Sequence, residues 1–386
     1  MNGAILPGAT LGVMGGGQLG RMFVHAAQSM GYLTAVLDPD KASPAGRVAH
    51  HHVGRGYLDD VGLAELGRHC AGVTTEFENV PAAALQTLAE HCRVAPGAEA
   101  VAVCQDRAAE KRLLQRSGVA CAPHAVVTSA AELAALPDSL LPGILKTCRL
   151  GYDGKGQQRV DDRAALVAAW AQLGQVPCVL EQRLALRLEL SVVVARGSDG
   201  QIVHLPVQQN LHRDGILAVT QVPAPDASAA LQAQAVAAAR QIATAMDYVG
   251  VLCVEFFVLD DGRLVANEMA PRPHNSGHWS IDGSDVSQFE LQVRTVAGLP
   301  LVAPRQHSAA VMLNLLGELW FDAQGRPQTP NWAGLSALAG THLHLYAKAE
   351  ARPGRKMGHL TITAPDLPAA NTVARQAADL LGLALW

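Results

Sequence analysis

Several features that would narrow the function are missing from this 386-residue chain. No apolar run reaches the roughly 18–20 residues needed to cross a bilayer. The N-terminus has neither the basic start nor the continuous apolar core of a secretory signal, so a cytoplasmic protein without a membrane partner is expected. No basic block is longer than a few residues and the net charge is −4, which argues against a nucleic-acid partner. The seven cysteines are odd in number, scattered and without a C-x-x-C pair; they read as reduced, mostly buried thiols rather than a disulfide framework. What remains is a chain that is 49% hydrophobic, enough for sizeable cores in two or three domains.

The segment Ile144-Leu-Lys-Thr-Cys-Arg-Leu-Gly-Tyr-Asp-Gly-Lys-Gly-Gln157 carries the strongest chemical signal. An apolar strand delivers Lys146 to a glycine-punctuated loop holding Asp153 and Lys155. Glycines let backbone N–H groups approach phosphate oxygens closely, and lysines neutralise their charge. The spacing does not fit the P-loop pattern G-x-x-x-x-G-K-[ST]. The other way to hold ATP is a flexible lid over the phosphates, with carboxylates for magnesium supplied from elsewhere.

Such carboxylates stand about a hundred residues on. Val249–Glu268 reads as two β-rich runs around a turn at Asp261-Gly262. If Asp260 pairs with Arg263 across a two-residue loop, Glu255 and Glu268 face each other directly. Like charges so placed call for a cation between them, and magnesium suits one or two carboxylates plus substrate phosphates.

A rival reading comes from the N-terminal third. Strand Thr10–Met14 runs into Gly15-Gly-Gly-Gln-Leu-Gly20, then a helix that ends at Gly31, then strand Leu33–Leu37 closing on Asp38. Gly15, Gly17 and Gly20 match G-x-G-x-x-G, which admits an NAD(P)-dependent oxidoreductase. That reading leaves the Lys146 loop and the Glu255/Glu268 pair without a task. His50-His51-His52 invites a metal, but adjacent residues of a strand point to opposite faces, so the triplet does not converge on one ion.

Further along, Asp106 N-caps a short helix stopped by Gly118, with Arg107 in its first turn, and Asp226–Asp247 reads as a long structural helix. Val203–Val207 and Gln208–His212 read as a strand and a loop. The polar run Pro271–His278 adjoins Glu268, where Arg272 suits bidentate phosphate contacts. Lys348, Arg352, Arg355 and Lys356 form a basic stretch bent by Pro353-Gly354.

Four segments, Gly151–Gln157, Asn210–Ile216, Asn267–His278 and Arg352–His359, occur in the order and at the separations of the ATP-grasp 5-(carboxyamino)imidazole ribonucleotide synthases, and the chain resembles that family from Gly12 to about His359. The resemblance implies an α/β protein. Residues 1–105 would form a Rossmann-like, substrate-side pre-ATP-grasp domain and 106–300 the ATP-grasp domain, with a mobile lid at about 123–182; a small C-terminal domain would occupy 301–386.

It also implies the reaction: ATP- and bicarbonate-dependent carboxylation of the amine of 5-aminoimidazole ribonucleotide in purine biosynthesis, with Mg2+, replaceable by Mn2+. A homodimer that passes its product to a mutase is implied too. Another ATP-grasp ligase, such as a formate-using purine transformylase, stays open as the nearest alternative.

The ATP side would draw on Arg107, Lys146, Gly151, Tyr152, Asp153, Gly154, Lys155, Gly156, Gln157, an adenine hinge at Glu181, Gln182, Arg183 and Leu184, Glu189 on the ribose, His212, Asn267 and Glu268. Metal would sit on Glu255 and Glu268. The substrate side would use Gln18, Leu19, Glu76, Tyr152, Arg272, His274, Lys348, Arg355 and Lys356, with Asp153, Lys348 and Arg272 catalytic. Two departures stand out. Leu150 precedes Gly151 where members often carry glycine, and Ala270 occupies a position that is often asparagine in the superfamily.

Overall fold

The computed structural model describes residues 3–151 and 156–385; Tyr152, Asp153, Gly154 and Lys155 of the lysine loop lie outside the described residues. Three sheets organise the described residues.

The first is parallel, in the order His51–Val53, Leu33–Leu37, Thr10–Met14, Gly72–Thr75, Arg93–Val94. Its central strands are short apolar runs buried on both faces, the pattern that parallel sheets require. The helix Gln18–Ser29 covers one face with Phe23, Val24 and Ala27, while Leu63 and Leu66 of helix Asp60–His69 cover the other.

A four-stranded antiparallel sheet follows, within the span expected to form the lid, in the order His124–Val127, Cys178–Gln182, Gly143–Thr147, Gln157–Val160. Its own core of Leu145, Leu166, Trp170 and Leu180 packs the helix Arg163–Gln172 against it.

The third sheet has nine antiparallel strands and forms the body of the molecule. Strand Leu186–Arg196 lies near its middle, and its alternation shows the period of two. Leu190, Val192 and Val194 face the helix Ala229–Ala245, while Val193 and Ala195 pack with Leu291 of the helix Gln288–Ala297. Val293, Val296 and Ala297 of that second helix join Leu11, Val13 and Phe23 of the parallel sheet, so one helix fastens the two sheets together. The strands Ala309–Leu316, Thr341–Leu345 and Lys356–Ala364 continue the large sheet, backed by the helix Leu367–Leu381.

Two sequence expectations change. Gln208–Arg213, read as a loop, is a strand in the interior of the large sheet. Its buried polar side chains are satisfied by neighbouring strands: Asn210 Nδ2 donates to Ser191 Oγ at 2.8 Å, and Asn210 Oδ1 accepts from Thr220 Oγ1 at 2.9 Å. The long helix is also shorter than expected, spanning Ala229–Ala245 with Ser228 as its N-cap.

Candidate active site

The hairpin Gly250–Leu259/Leu264–Ala270 forms, but with a different register from the one expected. Leu259 N donates to Arg263 O at 2.9 Å, so the loop has three residues, Asp260 to Gly262, with Gly262 at φ +85. Asp-Gly serves this three-residue turn as well as the two-residue one. Pairing therefore starts one position off, as Val258↔Leu264 and Phe256↔Ala266, and a bulge resets it to Val254↔Met269. Glu255 consequently opposes the two residues Asn267 and Glu268, instead of Glu268 alone.

Helix Arg107–Arg116 braces this bulged strand with three charged side chains at i, i+3 and i+4, which share one face. Arg107 Nη1 lies 3.1 Å from Glu268 Oε2. Met269 N donates to Glu110 Oε1 at 2.6 Å, and Lys111 Nζ donates to the Asn267 carbonyl at 3.1 Å. Asp106 caps the helix by accepting from the amides of Ala108 and Ala109.

Lys146 sits on the lid strand across from Val179, diagonal to Glu181 on the same face. Glu181 bridges two lysines, with Lys146 Nζ at 2.8 Å and Lys111 Nζ at 3.1 Å, and all three side chains are buried. Burial works against the Glu181 carboxylate, but the two ammonium groups outweigh it and bring its pKa down to about 2.

The carboxylates above this bridge differ from one another. Burial, reinforced by the charge of Glu268, pushes Glu255 up to about 7. At Glu268 burial is opposed by Arg107 and Lys146, and the pKa lies below the ordinary carboxylate range. Burial holds His212 down, but its contact with Glu189 and the nearby Glu255 raise its pKa overall. His274 is kept neutral by burial and by the cations Arg272 and Lys356.

Glu255 Oε1 is buried without a hydrogen-bond partner among the described residues, and its histidine neighbours stand off, His274 Nε2 at 3.6 Å and His212 Nε2 at 4.0 Å. An orphaned carboxylate oxygen beside a second carboxylate fits a hard divalent cation such as magnesium.

One cleft of about 820 Å³ connects this pair to both ends of the chain. Gln18, Leu19 and Glu76 line it from the parallel sheet, Arg107, Glu255, Glu268, Arg272 and His274 from the middle, Gly151 from the lid, and Lys348, Arg355 and Lys356 from the C-terminal stretch. Lys348 Nζ also stands 5.8 Å from the centre of the Tyr346 ring. Lys146, Glu181, Glu189, His212 and Asn267 connect to the cleft through the contacts above. Gln182 and Leu184 line a separate cavity of about 350 Å³, Arg183 pairs with exposed Asp161 at 3.1 Å, and Gln157 opposes Lys146 on the outer lid strand with Gly156 beside it.

The glycine turn is already occupied by the protein itself. Gly17 N and Gly20 N donate to the two oxygens of Glu76 at 2.8 and 3.0 Å, and a Cβ on Gly17 would lie 2.4 Å from Glu76 Oε1. Gly16 N donates to Asp38 Oδ2 at 2.7 Å. The amides that would receive a dinucleotide pyrophosphate are spent on carboxylates, so the oxidoreductase reading fails here. The histidine triplet splays as expected: His50 accepts from Thr34 N, His51 meets Glu65, and His52 meets the Asp38 carbonyl.

Some site residues escaped the sequence reading. Glu78 pairs with Arg272 at 2.6 Å, and its lowered pKa reflects burial outweighed by that guanidinium. Glu110 and Lys111 were legible as charges on the buried face of a short helix. Ser276 Oγ lies 2.9 Å from His274 Nδ1 and 2.8 Å from Ser191 Oγ, joining the site to the polar ladder of the large sheet. Leu150 adopts φ +62 and is 75% exposed, the left-handed backbone that glycine takes at no cost.

A lid sheet, a brace of cations and paired carboxylates over one cleft define an ATP-grasp enzyme. Family models agree along the chain: the ribonucleotide synthetase preATP-grasp domain over residues 8–105, the ATP-grasp domain over 112–289, and the phosphoribosylaminoimidazole carboxylase C-terminal domain over 310–372. The N5-carboxyaminoimidazole ribonucleotide synthase of Brucella melitensis is 44% identical over 365 residues, covering 94% of this chain and 98% of that protein.

Among solved structures, an ADP complex of N5-carboxyaminoimidazole ribonucleotide synthetase matches with a TM-score of 0.90 at 37% identity, covering 98% of both chains. The Aspergillus clavatus synthase with ADP and 5-aminoimidazole ribonucleotide matches at 0.87 and 31% identity, covering 97% of this chain and 98% of that one. The chain belongs to the N5-carboxyaminoimidazole ribonucleotide synthase family.

Proposed function

We propose that this chain carboxylates the exocyclic amine of 5-aminoimidazole ribonucleotide, using ATP and bicarbonate and giving 5-(carboxyamino)imidazole ribonucleotide, ADP and phosphate. The observation that carries the reading is the single cleft holding the Glu255/Glu268 pair at one side and Arg272, Lys348, Arg355 and Lys356 at another, room for a nucleoside triphosphate chain beside a ribonucleotide phosphate.

A bicarbonate oxygen attacks the γ-phosphorus and the bond to ADP breaks. The amine nitrogen then attacks the carboxyl carbon of carboxyphosphate, whose C–O bond to phosphate breaks and releases phosphate, or attacks the carbon dioxide freed by that same cleavage, and the amine loses a proton. Such transfer depends on positioning and charge neutralisation more than on covalent catalysis.

Glu255 and Glu268 would hold Mg2+, or Mn2+ in its place, which when bound neutralises phosphate charge. Lys146, Arg107 and the loop Gly151–Gln157 contact the phosphates. Backbone groups of Glu181, Gln182, Arg183 and Leu184 hold adenine, and Glu189 and His212 hold the ribose. Arg272, fixed by Glu78, acts with Lys348, Arg355 and Lys356 on the ribonucleotide phosphate, while Glu76 fixes the turn that presents Gln18 and Leu19. Asp153 and Tyr152 reach the imidazole when the lid closes, Asp153 taking the amine proton; closure also protects carboxyphosphate from water.

The domain limits at 105 and 300 belong to this reading and are supported by the extents of the family matches, although the large sheet runs on past residue 300. A homodimer and transfer of product to a mutase rest on family membership, and a cytoplasmic setting is supported by the seven free cysteines.

The test is phosphate release from Mg-ATP in bicarbonate with and without 5-aminoimidazole ribonucleotide. Strong stimulation by the nucleotide supports the reading; stimulation by formate and indifference to bicarbonate would point to a transformylase.

A further inference from the structure

A second cluster of metal-competent side chains lies apart from the cleft, at the outer edge of the parallel sheet. Glu65 and His69 stand one turn apart on the helix Asp60–His69 and therefore share a face. His51, on the edge strand His51–Val53, turns toward that face, with Nε2 2.9 Å from Glu65 Oε1. Its ring centre is 4.4 Å from that of His69, at an interplanar angle of 42°. One donor atom from each of the three lies within 4.8 Å of the others.

None of the three lines the cleft. The triplet that suggested a metal in the sequence is not the site: only its middle histidine takes part, and its partners come from a helix that follows it in the chain.

We propose that His51, Glu65 and His69 bind a zinc-like transition-metal dication. Two imidazole nitrogens and one carboxylate oxygen suit Zn2+ and its neighbours, whereas Mg2+ and Ca2+ prefer oxygen alone. Zinc–donor bonds of about 2.0–2.1 Å place tetrahedral donors about 3.3 Å apart, so modest side-chain rotation converts the His51–Glu65 hydrogen bond into joint ligation. His51 and Glu65 are partly exposed, at 38% and 30%, and His69 is exposed; the ion enters from solvent and keeps a fourth position for water. Once bound, it ties the edge strand to the helix that covers it, which stabilises that end of the sheet by linkage.

The test uses the full chain stripped by a chelator, in excess magnesium to occupy the oxygen site, titrated with Zn2+ against a competing chromogenic chelator. One Zn2+ per chain is expected. Loss of a supporting partner of a metal ligand already costs about 10–100-fold in affinity, so His69→Ala and Glu65→Gln, which remove ligands themselves, each weaken binding by at least about tenfold. His50→Ala leaves it unchanged. Zn2+ raises the unfolding temperature of the parent but not of His69→Ala, and Co2+ gives the visible bands of a tetrahedral nitrogen–oxygen site. Neither variant alters a buried side chain, and an unchanged thermal response to Mg-ATP verifies their fold. Equal Zn2+ affinity in the parent and His69→Ala, or no binding by the parent, would overturn the proposal.

Discussion

Arg107 Nη1 lies 3.1 Å from Glu268 Oε2, so the first residue of a short helix neutralises one of two cross-strand carboxylates, while the other, Glu255, has no guanidinium or ammonium partner among the described residues. The pair is thereby split: Glu268 stays ionised, while Glu255 holds its proton up to about neutral pH.

Arg107→Met should therefore weaken ATP use without unfolding the protein. A hydrogen bond to a charged group is worth about 1.5–3 kcal/mol, so kcat/KM for ATP is expected to fall about 10–100-fold. Steady-state kinetics with ATP varied checks this, with the far-UV spectrum as the control for folding.

The split pair also sets a pH dependence. Glu255 and Glu110 are both raised to about 7 in the folded protein. Their contribution to stability is fully present below the unfolded carboxylate pKa and is lost as pH rises from there through about 7. Magnesium runs the other way, because its ligands must be deprotonated. The thermal shift produced by Mg2+ should grow as pH rises through about 7 and become shallow in Glu255→Gln.

Glu181 is the shared partner of Lys111 and Lys146, both buried. Removing one member of a buried ion cluster costs about 3–5 kcal/mol because it leaves charge uncompensated. Glu181→Gln should lower stability by that order in denaturant titration. Since the Glu181 pKa is depressed to about 2, its contribution is present above the unfolded carboxylate pKa and is lost as pH falls toward 2. The parent should accordingly lose its stability advantage over Glu181→Gln on acidification.

The proposed role of Asp153 as acceptor of the amine proton is tested by separating substrate handling from ATP handling. Asp153→Asn is expected to leave Mg-ATP affinity within a few fold while carboxylation falls by roughly 10²–10⁴. Equal losses in both would move proton handling elsewhere, with Lys348 and the neutral His274 next.

Much of this was legible before the structure. The parallel β-α-β start, the capped helix after Asp106 and the carboxylate hairpin all rest on local signals that tertiary packing left intact. The register was not legible, because Asp-Gly serves two turn types and the bulge that places Asn267 and Glu268 opposite Glu255 has no local marker. The strand Gln208–Arg213 looked like a loop because its run of polar side chains shows no apolar alternation, and the partners that let Gln208 and Asn210 be buried, Ser191 and Thr220, stand on neighbouring strands. Glu78 was hidden for the same reason: its partner, Arg272, lies 194 residues away.

The most direct measurement of the central claim follows carbon-13 from bicarbonate by NMR, with ADP quantified in the same sample. The account predicts a new carbamate carbon on 5-aminoimidazole ribonucleotide, formed in equal amount with ADP by the parent and not by Glu268→Gln. ADP formation without labelled carbamate, or labelled carbamate formed undiminished by Glu268→Gln, would contradict it.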